Sequence, residues 1–347
     1  MRYILKEKLL LIAGLGVVVS SIYLKKISTL SQRELQVLLI LTTLFIVING
    51  LKVNRAFLIV EEFLKSRFIA LKLVAIASIL SMLFTNDIAI TIAVFLTLSL
   101  DIEYKGFLVA LEMVAVNVAS SLLPFGNPQN LFIYWFYKLN FLEFIKEILP
   151  FGVVLVAVFG IALILDRKIK IKKQPPHQLS LNLNSYLFFG LFILIILTIL
   201  HKIPVEINFI IIALAMIFDS NSLKIDYGLI ISFLLFFALG ENFKEILAST
   251  ITHQNHIFLL SLILSQAVSN VPATLIVAKI TQNWQGLLWG VSVGGLGGLF
   301  SSLSNLIAYR LYLREHKNSL CFNILFFLVG YLALSIGVAV FYLRSWL

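Results

Sequence analysis

Long apolar runs, separated by short clusters of charged residues, are the feature that most limits what this chain can fold into. A helix that crosses a bilayer needs about 20 mainly apolar residues. Runs of this kind lie near residues 9–24, 34–51, 106–137, 143–165, 185–201, 204–218, 227–240, 286–312 and 320–343. Charged residues make up 13% of the chain, against about 25% in a soluble domain. The sequence therefore predicts an all-α polytopic membrane protein and excludes an ordinary soluble one.

Two further apolar stretches, at residues 68–100 and 256–281, contain a polar interruption near the middle. The interruptions fall at residues 85–87 and 269–272. Irregular backbone at membrane depth is tolerated only where it is buried in protein or lines a cavity. We therefore predict two re-entrant hairpins whose tips mark a functional centre. Two ordinary helices joined by a short loop are the alternative.

The distribution of basic residues predicts the orientation in the cell membrane. Residues 166–184 form the long polar linker of the sequence, with a cluster of basic residues followed by two prolines. Cytoplasmic loops carry an excess of Lys and Arg. Most of the 27 basic residues fall inside if the N-terminus is cytoplasmic, which places the C-terminus outside.

Several functional classes lack support in the sequence. The single cysteine, Cys321, cannot form an internal disulfide, and the Cys and His spacing matches no zinc site. The net charge of +10 comes from residues beside apolar segments, so we expect lipid, and not nucleic acid, as the partner. No motif of a hydrolase, a metalloprotease or a phosphate loop is present. We expect no enzyme and no cofactor, and we keep an intramembrane enzyme and a passive channel as alternatives.

An internal repeat relates the two halves of the chain. Residues 116–137 and 291–312 share seven identities at an offset of 175 positions. Residues 79–92 and 263–276 share six at an offset of 184, and Asn86 aligns with Asn270. Many transporters consist of inverted repeats whose broken helices meet at the binding site.

The predicted organisation is an inverted repeat. One extra helix, at residues 185–201, has no partner in the first half and therefore reverses the second half across the membrane. The chain comprises a first repeat at residues 1–165 with a hairpin at 68–100 and a broken helix at 106–137, a basic cytoplasmic linker at 166–184, an extra transmembrane helix at 185–201, and a second repeat at 204–347 with a hairpin at 256–281 and a broken helix at 286–312.

The first hairpin tip offers groups that suit a cation. At Asn86 and Asp87 helical hydrogen bonding must lapse, so backbone carbonyls, an amide and a carboxylate become available. Acids inside the membrane are functional candidates because burying their charge is costly, and Asp87 is the candidate coupling acid. Glu112 is a second acid, which either takes part in transport or reaches the cytoplasmic interface. Lys279 either extends towards the interface or pairs with a carboxylate.

The first broken helix contains Gly126, Asn127, Pro128, Gln129 and Asn130. Pro128 removes an N–H group and disfavours helix at the residue before it. A half-helix that begins near Asn130 presents its positive end, which suits an anion, whereas the preceding carbonyls suit sodium or a proton-carrying group. A proline kink whose amides bond internally is the alternative.

The second half supplies a similar set of polar residues without an acid. These are Ser269 and Asn270 at the hairpin tip, and Ser302, Ser304 and Asn305 at the break. We predict that Asn270, Ser302 and Asn305 line a site. The four glycines at residues 294–298 fit both close helix packing and site lining.

Four motifs resemble a known group of proteins. They are T-N-D-I-A and S-N-V-P-A at the hairpin tips, G-N-P-Q-N-L-F at the first break, and V-G-G-L-G-G-L-F-S-S-L-S-N-L-I-A-Y-R-L-Y at the second. The chain resembles, over residues 70–312, the ion transporter superfamily of arsenite permeases, NhaD-type sodium/proton antiporters and citrate or divalent-anion transporters. It is most similar to the short citrate-transporter-like permeases.

The resemblance implies site residues and a mechanism. It implies an elevator-like movement against a scaffold that often dimerises. A first ion site would be lined by Thr85, Asn86 and residues 126–130, and a second by Ser269, Asn270 and residues 302–305. Sodium would bind at Asn86, Asp87, Asn127 and Asn270, and Asn86 and Asn270 would also face the transported anion. The tip sequence T-N-D departs from the S-N-T of the symporters, which puts a two-sodium stoichiometry in question.

The expected function is that of a secondary active transporter. Its substrate would be a small inorganic or carboxylate anion, such as citrate, a dicarboxylate or an oxyanion, coupled to protons or sodium. Sodium/proton antiport is the alternative.

Overall fold

The computed structural model describes residues 2–26, 30–54, 56, 68–169, 182–247, 254–316 and 320–344. Regular secondary structure in these residues is helical throughout, as the sequence predicts. The helices are α1 (Arg2–Leu24), α2 (Gln32–Val53), α3 (Ile69–Leu83), α4 (Asn86–Ser99), α5 (Lys105–Ser121), α6 (Pro128–Phe136), α7 (Phe141–Ile148), α8 (Gly152–Asp166), α9 (Leu183–Ile199), α10 (Ile207–Phe218), α11 (Tyr227–Leu247), α12 (Gln254–Val268), α13 (Asn270–Val277), α14 (Trp284–Gly294), α15 (Leu303–Glu315) and α16 (Leu320–Leu343). The centre of the predicted basic linker, residues 170–181, lies outside the described residues.

Four helical segments of the described chain are long and apolar enough to cross a membrane by length and composition. They are Gln32–Val53, Phe141–Asp166, Ser220–Glu245 and Leu320–Leu343. The predicted crossing at residues 143–165 consists of α7 and α8, joined by the 3-10 turn Leu149–Phe151 that contains Pro150. Together with the shorter apolar helices, these segments identify a multi-pass membrane protein.

The helices form two packed groups. We call α1, α2, α9, α10 and α11 the scaffold group, because these helices pack mainly on one another. We call the remaining helices the hairpin group. The groups meet mainly where α11 contacts α13 and α2 contacts α6. The approach is close, because a Cβ atom at Gly240 would lie 2.7 Å from the Leu275 carbonyl oxygen.

Both predicted polar interruptions separate two packed helices. Thr85 has extended backbone and precedes the first turn of α4. Ser269, between α12 and α13, has φ of 80°, in the left-handed region. The second arm of each hairpin packs against the broken helix of the other half, since α4 contacts α15 and α13 contacts α6. The hairpin tips therefore lie beside the helix breaks.

The two breaks follow from their local sequence. Pro128 occupies the first turn of α6, where a missing N–H is tolerated. Gly126 permits a close backbone approach, because a Cβ atom there would lie 2.2 Å from the Ser120 carbonyl oxygen. In the second break, Gly297 has φ of +90°, which favours glycine. The inverted orientation of the halves across the membrane stays a prediction.

The start of α3 depends on an acid from a distant helix. The carboxylate of Asp166 accepts hydrogen bonds from the N–H groups of Ala70 at 2.7 Å and Leu71 at 3.0 Å. These N–H groups have no partner inside their own helix. Asp166 therefore fixes α3 against the end of α8.

We expect Asp166→Ala to lower the free energy of unfolding by about 1 kcal/mol, because the first turn of α3 loses its acceptors. Asp166→Asn keeps one acceptor oxygen and should lose less. Thermal unfolding of the purified protein in detergent measures both. An Asp166→Ala curve that overlays the wild type contradicts this role.

Candidate substrate and ion site

A cavity of about 660 Å³ lies between the hairpin group and α11. One wall is α15, from Ser302 to Arg314. The opposite wall belongs to α11 and includes Leu229, Ser232 and Phe233. The cavity also reaches both hairpin tips. It thus brings the polar interruptions of the two halves of the chain to one space.

The starts of four half-helices meet at this cavity. Asn86 and Asp87 belong to the first turn of α4, Pro128 begins α6, Asn270 begins α13, and Ser302 precedes α15. The start of a helix carries partial positive charge from its free N–H groups. Such ends attract anions, and four of them lie at one cavity here.

Two arginines line the same cavity, and the sequence reasoning missed them as site residues. Arg310 and Arg314 are four positions apart on α15, so their side chains lie on one face of the helix. Neither is ion-paired to a carboxylate within the described part of the chain. Their i, i+4 spacing on the half-helix that begins at the second break was the signal that could have identified them.

The structure divides the predicted site residues into two sets. Those that line the cavity are Asn86, Asp87, Pro128, Ser269, Asn270 and Ser302. Those that do not line it are Thr85, Gly126, Asn127, Gln129, Asn130, Ser304 and Asn305, which are all buried. Asn86 and Asn270, the aligned pair of the repeat, are both in the first set.

The amides of the first break are used by the protein itself. Asn127 is the N-cap of α6, and its Oδ1 accepts a hydrogen bond from the Asn130 N–H at 2.8 Å. Asn130 Nδ2 donates to the carbonyl oxygens of Ser120, Ser121 and Leu123 at 3.3, 2.8 and 3.1 Å. This amide therefore satisfies carbonyls at the free end of α5.

Asn305 does the same at the second break. Its Nδ2 donates to the carbonyl oxygens of Gly295 at 3.0 Å and Gly298 at 2.9 Å. At the 175-residue offset these carbonyls correspond to two of those that Asn130 contacts in the first break. Asn305 Oδ1 also accepts from Asn117 Nδ2 on α5 at 2.7 Å. An asparagine thus holds each break, and Asn117 joins the halves.

The other charged candidates lie away from the cavity. Glu112 is fully buried within the protein. Its Oε1 accepts a hydrogen bond from Thr97 on α4, and its Oε2 has no partner among the described residues. Lys279 pairs with carboxylates, the second of the two options that the sequence left open.

Comparison with known proteins identifies the family. The model of the citrate transporter family, CitMHS, matches residues 4–294. The chain belongs to this family. An uncharacterized transporter of Methanocaldococcus jannaschii is 32% identical to it over 71% of the chain and 72% of the relative. The Escherichia coli inner membrane protein YbiR is 30% identical over 80% of each. A silicon efflux transporter of Oryza sativa is 40% identical over 22% of the chain and 16% of its own length.

The family and these relatives identify a membrane transporter, and not an enzyme. They also confirm the resemblance that the four sequence motifs indicated. The site residues themselves stay predictions.

We expect Asn130→Ala and Asn305→Ala each to lower the free energy of unfolding by at least about 2 kcal/mol, because buried carbonyls lose their donor. Asn86→Ala is the matched control: Asn86 is also buried, but its side chain forms no hydrogen bond within the described residues. Thermal unfolding in detergent compares the three. Equal melting temperatures for Asn130→Ala and Asn86→Ala would contradict this division of roles.

Proposed function

We propose that this protein is a secondary active transporter of a small anion, of the citrate, dicarboxylate or oxyanion type, coupled to protons or sodium. The observation that supports this most directly is the convergence of four helix starts and two arginines on one cavity. All of these groups carry positive charge or a positive dipole end. An anion is therefore the ligand that this space favours.

The chemistry of the lining fits a small polar anion. Asn86, Asn270 and Ser302 offer neutral hydrogen-bond donors at the deep end, and the arginines offer bidentate donors along α15. A volume of about 660 Å³ lies within the usual range for ligand sites of about 300–1,000 Å³. The cavity has room for such an anion with several waters.

Asp87 gives the site a means of coupling. It lines the cavity among groups that attract anions, so its negative charge repels the proposed substrate. A proton or a bound sodium ion neutralises that charge and allows the anion to bind. Anion binding and coupling-ion binding therefore favour each other.

The proposed movement is elevator-like, with the hairpin group sliding against the scaffold group. The cavity lies between α15 and α11, which belong to different groups. With the predicted cytoplasmic N-terminus, Arg310 and Arg314 face the cytoplasm and the cavity opens inward. The proposal includes a homodimer through the scaffold group, as the superfamily resemblance implies.

Sodium/proton antiport is the second candidate, and the acid at the hairpin tip favours it. In that case Asp87 would bind sodium and a proton in turn. The discriminating measurement is the internal pH of proteoliposomes after a sodium gradient is imposed with no anion present. Sodium-driven proton movement supports antiport. An unchanged internal pH supports the anion proposal, and the vesicles are then screened with citrate, dicarboxylates, sulfate, arsenite and silicate.

We expect Arg310→Gln and Arg314→Gln each to raise the KM for the transported anion by about tenfold, the effect of losing a charged hydrogen bond. Arg167→Gln is the control, because Arg167 is exposed at the end of α8, outside the cavity lining. Initial uptake rates into proteoliposomes measure the three constants. Unchanged KM in both cavity variants would remove the arginines from the site.

We expect Asp87→Asn to transport the anion without dependence on the proton or sodium gradient, because the neutral amide imitates the neutralised acid. Uptake at several external pH values, with and without a gradient, tests this. Gradient-driven uptake with an unchanged pH profile would exclude Asp87 as the coupling acid. Circular dichroism of the variant in detergent controls for folding.

A further inference from the structure

The contact between the two groups changes along α11. Leu229, Phe233 and Phe236, in the first half of the helix, line the cavity. One turn further, Gly240 packs directly against the backbone of α13. The same helix is therefore open to the cavity at one end and closed against the hairpin group at the other. The structure therefore has one side that is open to the cavity and one side that is closed.

An ion triad, in which Lys279 and Glu34 are buried, lies at the closed end. Lys279 Nζ, just after α13, is 2.7 Å from Glu34 Oε1 on α2 and 2.8 Å from Glu241 Oε2 on α11. The side chain of Lys279 is 6% exposed and that of Glu34 is 1% exposed. The lysine belongs to the hairpin group and both acids belong to the scaffold group. Each ion pair therefore spans the interface.

The scaffold side of the triad is held in place. Glu34 Oε2 accepts hydrogen bonds from the N–H and the hydroxyl of Ser31 at 2.7 and 2.6 Å. The bond from the Ser31 N–H, together with the bond from the Glu34 N–H to Ser31 Oγ, forms the capping box that begins α2. Glu241 lies in the second half of α11 and is 30% exposed. Glu34 cannot follow Lys279 away from α2 without loss of the cap.

The hairpin side is equally fixed. The hydroxyl of Tyr137, at the end of α6, donates to the carbonyl oxygens of Ala278 and Thr281 at 3.1 and 2.9 Å. Lys279 Nζ also lies 5.5 Å from the centre of the Phe136 ring. The lysine therefore moves together with α6 and α13.

We propose that Lys279, Glu34 and Glu241 form a latch that keeps one side of the transporter closed, and that this latch breaks each time that side opens. The inference rests on the relative movement of the two groups in the proposed function. Glu34 is bonded to the start of α2, and the backbone on either side of Lys279 is bonded to Tyr137, so a slide of the hairpin group separates these charges. A buried charge left without its partner is strongly unfavourable. The latch thus favours the state with the cavity open at the other end.

The test measures exposure of the closed side, with no substrate present. Cys321→Ser removes the single cysteine, and Ala278→Cys places a thiol at a buried position beside Lys279. The variant Glu34→Gln with Glu241→Gln removes both acids and leaves the lysine unpaired. Glutamine also serves in a capping box, so α2 keeps its start. The readout is the rate of reaction with a membrane-impermeant maleimide in sealed vesicles.

We expect the double variant to react with the maleimide at least about tenfold faster than the protein that carries Cys321→Ser and Ala278→Cys but keeps both acids. Loss of the ion pairs shifts the population towards the state in which the closed side is open. The matched control is Lys26→Gln, which removes an exposed ion pair of Lys26 and Glu245 within the scaffold group. It should leave the rate unchanged, because exposed pairs contribute little. Lys279→Arg keeps the charge and should stay protected.

An equal maleimide rate in the double variant and the background would overturn the latch. If the double variant does not fold, Glu241→Gln alone replaces it, since that acid is partly exposed, and we expect a smaller acceleration of about threefold. An unchanged rate there has the same meaning. The readout needs no transported ion, so failure to find an anion substrate would count against the proposed function and leave the latch measurement intact.

Discussion

The rest of this structure depends on how it satisfies backbone carbonyls where helices break inside the membrane. Lipid offers no hydrogen bonds, so each freed carbonyl needs a donor from the protein. Asn130 and Asn305 provide these donors at the ends of α5 and α14. These amides close the ends of the first half-helices, and Asn127 caps the start of α6. Each break is thus held by hydrogen bonds of the protein, while residues at the starts of the second half-helices line the cavity.

This arrangement produces a cavity that is lined by positive groups and by a single acid, Asp87, at its deep end. The helix starts and Arg310 attract negative charge, whereas Asp87 repels it. An anion and a coupling cation then stabilise each other in the same space, without a separate coupling element elsewhere. In the proposed transport an anion occupies this cavity together with a coupling ion, whereas in the antiport alternative Asp87 binds sodium and a proton in turn.

The sequence predicted the positions of the interruptions because glycine, proline and short polar residues stand out within apolar runs. It placed all of the asparagines at the interruptions in the site, whereas only Asn86 and Asn270 line the cavity. Asn86 and Asn130 both lie at interrupted helices. Whether such an amide faces a ligand or bonds a backbone carbonyl depends on how far the chain folds back after the break. The sequence did not identify Arg310 as a site residue, because a sequence does not show which helix faces a cavity. The partners of Lys279 lie on helices distant in sequence, so only the tertiary packing identifies them.

The latch also makes the two halves of the repeat unequal. In the captured state α6 and α13 pack against the scaffold group, whereas α4 and α15 face the cavity. Movement of the hairpin group to the other end would exchange these environments. At the 184-residue offset, the position equivalent to Lys279 is Phe95, whose exposure is 61%. A closure there would bury apolar surface in place of an ion triad. In the proposed cycle, the two end states would therefore be held by different interactions, an ion triad on one side and apolar contact on the other.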